Sequence, residues 1–397
     1  MRHRTPVAIA ACVSVVMFTT SLGATEEPIS IGVRTSLHSA VLGEDREILV
    51  STPAGYEAGR GRYPVSYVLD ARALFLQAVA DTRFLAERGM APAMIVIGVT
   101  TSANRTRDLT PPTTTASDLE EYPTAGGADR FRRFLVSELR PFVEGRYRTE
   151  GYRVLVGWSL GGLFAVHTLL EEPGSFDAYV AISPSLWWNG EAESAAADRL
   201  FTPGGTLKKF LYLTHGREYN NIPKSVQWFT RMLGKKAPAD LRWTFAYLAN
   251  DTHASSPRRA IYDALESLFD GWAFRTEGGF PTPADLERHY APLTERFGFV
   301  CLPAEARVNG IAYAQLREKK TAEATALFEY VVRTFPDSPN AYDSVADAYE
   351  AAGRLDLALE NCRTACRLGE EQSDRKLPIF RKHLERVTKQ AAGGRPD

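Results

Sequence analysis

Arg153-Val154-Leu155-Val156-Gly157-Trp158-Ser159-Leu160-Gly161-Gly162 decides how this chain reads. Residues 153–156 form a short apolar run, as expected of a strand covered on both faces. Residues 162–170, Gly-Leu-Phe-Ala-Val-His-Thr-Leu-Leu, follow as a helix. Between them Gly157 to Gly161 fits G-x-S-x-G. A serine at so tight a strand-to-helix turn takes a strained backbone, and its neighbours must be too small to clash. The turn lifts the Ser159 hydroxyl above the sheet edge at the start of a helix. There the Leu160 N–H is placed to hold an oxyanion.

The pattern continues in both directions. Residues 46–51, 65–70, 94–99, 178–183, 210–214 and 244–248 read as further strands. Helical stretches such as 129–144 and 258–269 lie between them. Strands alternating with helices argue for an open, mostly parallel sheet with right-handed crossovers. The expected fold class is α/β, an α/β-hydrolase arrangement over residues 29–275, followed by an α-helical domain over 283–390. In that second region strand signals fade. Ala312, Ala314 and Ala324 recur 34 residues on as Ala346, Ala348 and Ala358, the period of a tetratricopeptide-like helix pair. Two such repeats fall short of the three or so that usually stand alone. The helical domain is therefore expected to rest on the first.

A serine hydroxyl needs a base. His167 lies eight residues along the same helix, roughly 12 Å away, and cannot serve. His253, in the polar loop Ala249-Asn250-Asp251-Thr252-His253-Ala254 after the last strand, is the expected base, with His215 as the alternative. Glu218, in the loop after strand 210–214, is the expected orienting carboxylate, with Asp251 as the alternative. The second oxyanion donor is expected from the loop Leu69-Asp70-Ala71-Arg72, from the N–H of Arg72 or Ala71.

Several further motifs accompany the turn: Val41-Leu42-Gly43-Glu44-Asp45-Arg46-Glu47, Arg105-Thr106-Arg107-Asp108-Leu109-Thr110-Pro111, Gly126-Gly127-Ala128, Glu138-Leu139-Arg140-Pro141-Phe142 and Ser183-Pro184-Ser185-Leu186-Trp187-Trp188. With Tyr63-Pro64-Val65 leading to Val68-Leu69-Asp70, they make residues 36–272 resemble the putative esterase family of α/β-hydrolases, which includes esterase D and the ferric enterobactin esterases. That resemblance implies a serine ester hydrolase built on Ser159 and His253, with Glu218 in the acid position. It departs from the family at Ala71, where glycine is usual after the Leu-Asp pair. Arg105 and Arg107 are candidate contacts for an anionic substrate, against a structural pairing with Asp108 or nearby carboxylates. Trp187 and Trp188 are candidate walls of an acyl or aromatic pocket, against simple packing.

Composition removes other classes. The chain has 397 residues, 47 Lys and Arg against 48 Asp and Glu, and 44% apolar residues. No basic body offers itself to nucleic acid. No H-E-x-x-H or paired His/Cys cluster marks a metal site, and no G-x-G-x-x-G follows a strand, so no metal or other cofactor is expected. Residues 1–24 read as a secretory signal: Arg2 and Arg4, an apolar run from Val7 to Phe18, then the small residues of Ser21-Leu22-Gly23-Ala24. The alternatives are a retained anchor or a lipoprotein box ending at Cys12. The expected location is secreted or periplasmic, with no membrane span in the mature chain. Cys301, Cys362 and Cys366 remain, an odd number, best read as small buried residues. The expected partner is a small-molecule ester such as a siderophore or sugar ester, and the helical repeats are candidates for pairing two chains or holding a protein. The rival activities are an acyltransferase using the same serine and an inert binding protein.

Overall fold

The computed structural model describes residues 29–101, 104–202, 204–275 and 279–393. The leader predicted over residues 1–24, with Cys12, lies outside the described residues. Of the described residues, those from 31 onward form one compact unit.

Among the described residues a single eight-stranded sheet runs through the α/β part. Its strands are β1 (Val33–Ser39), β2 (Glu44–Ser51), β3 (Tyr63–Val68), β4 (Ile95–Val99), β5 (Thr149–Trp158), β6 (Ala178–Ile182), β7 (Phe210–Gly216) and β8 (Arg242–Leu248). The spatial order is β1-β2-β4-β3-β5-β6-β7-β8. β1 and β2 are antiparallel additions at one edge, and every pairing from β4 onward is parallel. β4 and β6 are buried along their whole length, as expected of strands covered by helices on both faces. Each apolar strand read from sequence has its counterpart. β1 was missed because it is an edge strand with mostly exposed residues, so it carries no apolar run to betray it.

Helices α1 (Ala71–Glu87), α2 (Arg105–Leu109), α3 (Ala116–Glu121), α4 (Ala128–Phe134), α5 (Arg140–Glu144), α6 (Leu160–Glu171), α7 (Trp188–Leu200), α8 (Ile222–Lys236) and α9 (Ser256–Leu268) connect or flank the strands. The helix expected over 129–144 is interrupted by a π-helical turn, Leu135–Leu139, between α4 and α5. α6 is the central helix: Leu160 through Leu170 are all buried, so it is apolar all round and sits in the core rather than at the surface. One core lies on the face holding α6, with Phe131, Phe134, Phe164 and Phe229. A second, on the other face, holds α1 and α9 against Val154, Val156 and Tyr212.

α10 (Pro283–Phe297) joins that second core. Its Tyr290 and Phe297 meet Trp272, Phe269 and Tyr152 edge-on or tilted, with ring centroids 5.2–5.9 Å apart. Such pairs add about 0.5–1.5 kcal/mol each beyond area burial, so this aromatic seam fastens the helical region to the sheet. Beyond it α11 (Glu305–Arg317), α12 (Thr321–Thr334), α13 (Pro339–Ala351), α14 (Leu355–Glu371) and α15 (Leu377–Gly393) follow. Ala312, Ala324, Ala346 and Ala358, the small residues of the 34-residue repeat, are fully buried at 0% exposure. Small side chains there let consecutive helices approach closely. Cys301, Cys362 and Cys366 are unbridged and buried. Among the described residues no helix is long and apolar enough to cross a membrane.

Candidate active site

The strand β5 ends at Trp158, and Ser159 takes φ 59° and ψ −117° before α6 begins. A left-handed φ is costly for a residue with a side chain. The surroundings enforce it: a Cβ on Gly157 would collide with the Gly161 carbonyl, so the turn closes only on glycine. The Ser159 N–H donates to the Ile182 carbonyl at 2.9 Å, and its carbonyl accepts from Leu163 at 2.9 Å. The backbone is thus held at both ends while the hydroxyl faces a cavity of about 510 Å³.

His253 lines the same cavity. Its Nδ1 lies 3.0 Å from Glu218 Oε2. Glu218 is almost wholly buried, its side chain 1% exposed, and its other oxygen accepts from Ser183 Oγ at 2.7 Å and from the Gly216 N–H at 3.1 Å. Burial alone would raise the Glu218 pKa, but the hydrogen bonds from His253, Ser183 and Gly216 outweigh it and hold the carboxyl below its ordinary value. An ionised Glu218 places the imidazole proton on Nδ1 and leaves Nε2 as the acceptor. The Trp158 ring packs against His253 at 5.1 Å between centroids, and its Nε1–H donates to the His253 carbonyl at 3.0 Å.

The two loops that carry Glu218 and His253 are joined. The Arg217 N–H donates to the Asp251 carbonyl at 2.6 Å, and a Cβ on Gly216 would strike that carbonyl. Asp251 itself turns away, to Ser255 Oγ at 2.8 Å and Arg258 at 3.7 Å. His215, the alternative base, is buried against Phe245 and Tyr247, with Nδ1 2.8 Å from the Gly216 carbonyl, and does not line the cavity.

The oxyanion donors named from sequence sit at two helix N-termini. Leu160 begins α6 and Arg72 is the second residue of α1. Among the described residues neither amide has a hydrogen-bond acceptor, as first-turn amides lack intrahelical partners. The Arg72 side chain points elsewhere, toward Glu47 at 3.6 Å. Ahead of it Asp70 is left-handed, φ 52°. Its carboxylate receives Arg105 in a two-pronged pair, Nε and Nη2 each at 2.9 Å, and the Thr101 hydroxyl. Arg105 Nη2 also donates to the Trp158 carbonyl at 3.2 Å. One guanidinium therefore ties the Arg72 turn to the serine strand.

The remaining wall of the cavity is formed by Tyr122 and Trp187, with centroids 6.4 Å apart, by Arg105 and Glu121, and by Asn220, Asn221 and Ile222 at the start of α8. Two sequence expectations need correction. Arg107 does not line the cavity: it is held by Glu44 at 2.6 Å and Asp108 at 2.8 Å, in a cluster with Arg46. Trp188 is 1% exposed, donates to the Pro111 carbonyl at 3.0 Å and backs Tyr122 and Trp187 rather than facing substrate. Ser183 and Asp70 lie within sequence motifs, but nothing in those motifs foretells their contacts with Glu218 and Arg105. Tyr122, Asn220 and Asn221 carried no signal, because they reach the cavity only through loops far apart in sequence.

Residues 39–218 match the family model described as "Putative esterase". A siderophore triacetylfusarinine C esterase of Aspergillus fumigatus is 39% identical over 162 residues, which cover 37% of this chain and 53% of that protein. The ferri-bacillibactin esterase BesA of Bacillus subtilis is 39% identical over 157 residues, covering 36% of this chain and 54% of that protein. The chain spans about half the length of these curated relatives. Among solved structures, an IroE-like serine hydrolase from Shewanella oneidensis is 27% identical with a TM-score of 0.67, covering 76% of this chain and 99% of that one.

Proposed function

From the match of residues 39–218 to the "Putative esterase" family model, we propose that the chain is a serine carboxylic-ester hydrolase whose substrate is a siderophore ester. The observation that carries the reading is the His253–Glu218 contact at 3.0 Å in the cavity that also exposes Ser159. In this reading Ser159 Oγ attacks the ester carbonyl carbon while His253 Nε2 takes its proton. Glu218 stabilises the imidazolium through Nδ1. The amides of Leu160 and Arg72 receive the carbonyl oxygen as it becomes negative. Collapse breaks the carbon–oxygen bond, and the leaving alcohol takes the proton back from His253. Water, deprotonated by the same ring, then releases the acid and restores Ser159.

The siderophore assignment rests on the activities of the two curated relatives, siderophore esterases both, and on the walls of the cavity. Tyr122 and Trp187 offer aromatic faces, while Arg105, Asn220 and Asn221 offer donors. Arg105 is already neutralised by Asp70, so it acts there as an oriented donor more than as a free charge. Purified protein should hydrolyse p-nitrophenyl esters and a cyclic or linear siderophore ester, and Ser159→Ala should lose at least about 10³-fold in kcat/KM with an unchanged melting temperature. Near-normal turnover by that variant would remove the proposal. Acyl transfer to added alcohols exceeding hydrolysis would instead mark an acyltransferase.

Export by residues 1–24 belongs to the same proposal, supported by their charged, apolar and small-residue order; cell fractionation tests it. We also read α11 to α14 as two tetratricopeptide-like pairs, supported by the 34-residue spacing of buried alanines. Their use in pairing two chains is tested by light scattering.

A further inference from the structure

A second concentration of titratable groups lies in the helical region, where α13 meets α15. His383 of α15 is 6% exposed. Its Nδ1 is 2.7 Å from Asp343 Oδ1. Its Nε2 is buried and makes no hydrogen bond. That nitrogen faces Asp347 Oδ1 at 3.3 Å and Glu350 Oε2 at 3.4 Å. Asp343, Asp347 and Glu350 stand four and three residues apart on α13, which places them on one helix face.

We propose that Asp347, Glu350 and His383 form a binding site for a divalent transition ion of the zinc class. A tetrahedral ion bonded at about 2.0–2.1 Å to nitrogen and carboxylate oxygen holds its ligand atoms about 3.3 Å apart. The separations from Nε2 match that spacing before any ion arrives. The orienting groups a metal-binding histidine needs are also in place. Asp343 takes the Nδ1 proton and fixes the ring, as the carboxylate behind a ligating imidazole does. The Tyr313 hydroxyl of α11 donates to the other oxygen of Asp347 at 2.8 Å and fixes that carboxylate. The site opens on a cavity of about 670 Å³ lined also by Lys382 and Lys389, so an ion has a path inward. An imidazole, two carboxylates and an open fourth position suit zinc better than calcium or magnesium, which favour all-oxygen shells.

Three carboxylates, Asp343, Asp347 and Glu350, gather here; Arg386 Nη2 lies 3.1 Å from Asp347 Oδ1 and 2.7 Å from Glu350 Oε2, and Lys382 and Lys389 line the same cavity. Two competitors stand against a metal ion. Arg386 bridges the same two oxygens, but its side chain is 54% exposed and is free to swing outward. The other is a proton. Metal binding must release that proton, so a mildly alkaline buffer favours it. Cys362 of α14 groups with Asp343 and His383 and makes no part of the proposed set.

The test uses tag-free full-length protein, dialysed against chelator and titrated with Zn²⁺ in a mildly alkaline buffer, with metal content read by mass spectrometry. One zinc per chain is expected. Co²⁺ in its place should give the intense visible absorption of a tetrahedral nitrogen–oxygen site. His383→Gln and Glu350→Gln should each reduce affinity by at least about tenfold while ester hydrolysis stays unchanged. Arg386→Gln should tighten binding, because it removes the resident cation. Absence of stoichiometric zinc in folded wild-type protein overturns the proposal and leaves the cluster as a buried ion pair. So does wild-type affinity in folded Glu350→Gln, and so does weakened binding in Arg386→Gln.

Discussion

Glu218→Gln is the sharpest perturbation of the ester-hydrolase reading. The amide has nearly the volume of the carboxylate, and its carbonyl can still accept from Ser183 Oγ and the Gly216 N–H, now at 2.7 and 3.1 Å. The fold is therefore retained. What changes is the oxygen that faces His253 Nδ1 at 3.0 Å. It becomes an N–H donor, which reverses the tautomer: Nδ1 accepts, Nε2 carries the proton, and Ser159 loses its base. The charge that steadied the imidazolium is lost as well. Opposite charges about 4 Å apart interact by about 4 kcal/mol at an effective dielectric constant of about 20, or about 10³ in rate. Glu218 is buried but the His253 side chain is 32% exposed, so water screens part of this. The expected loss in kcat is about 10²–10³-fold, with KM little changed, measured on p-nitrophenyl butyrate beside a melting curve. A folded variant within tenfold of wild type would refute the assignment of Glu218 as the orienting carboxylate.

Asp70→Asn tolerates the same left-handed backbone but weakens the two-pronged Arg105 pair; kcat should fall about 10–100-fold, because one oxyanion donor is typically worth about 10²–10³ and Asn keeps part of the contact. Equal activity in folded Asp70→Asn would show that the Arg72 turn needs no such tie. Because the Glu218 pKa is lowered in the folded chain, its contribution to stability is complete above the ordinary value and is lost as pH falls through the folded one. Denaturant unfolding below about pH 4.5 should therefore weaken wild type more steeply than Glu218→Gln, and parallel curves would contradict it. Cys301 is buried, its pKa pushed up to about 12 by desolvation, so iodoacetamide should leave Cys301, and the buried Cys362 and Cys366, unmodified until the chain is unfolded, as read by peptide mass spectrometry.

The sheet was legible because strands buried on both faces spell themselves as apolar runs, and β4 to β7 do so. The serine turn was legible because Gly157 is forced by a backbone collision that admits no side chain. The proximity of His253 and Glu218 was legible from position alone: each lies in the loop after a predicted strand, and parallel strands deliver such loops to one edge. The side chains that shape the cavity were not legible. Arg105 and Arg107 look equivalent in sequence, yet Asp70 draws one to the serine and Glu44 with Asp108 hold the other away. Trp187 and Trp188 are adjacent and opposite in fate for the same reason, since only one can face solvent. The metal-like set on α13 and α15 escaped motif reading because its ligands come from helices more than thirty residues apart.

The N–H to carbonyl contact between Arg217 and Asp251, sealed by the absence of a side chain at Gly216, makes the loops that bear Glu218 and His253 a single mechanical piece. Neither can lengthen or shorten alone without breaking that contact. Diversification of this scaffold is thereby steered to the opposite rim, where Tyr122 and Trp187 stand on segments free of that constraint, and new specificities should arise there while the chemistry stays fixed.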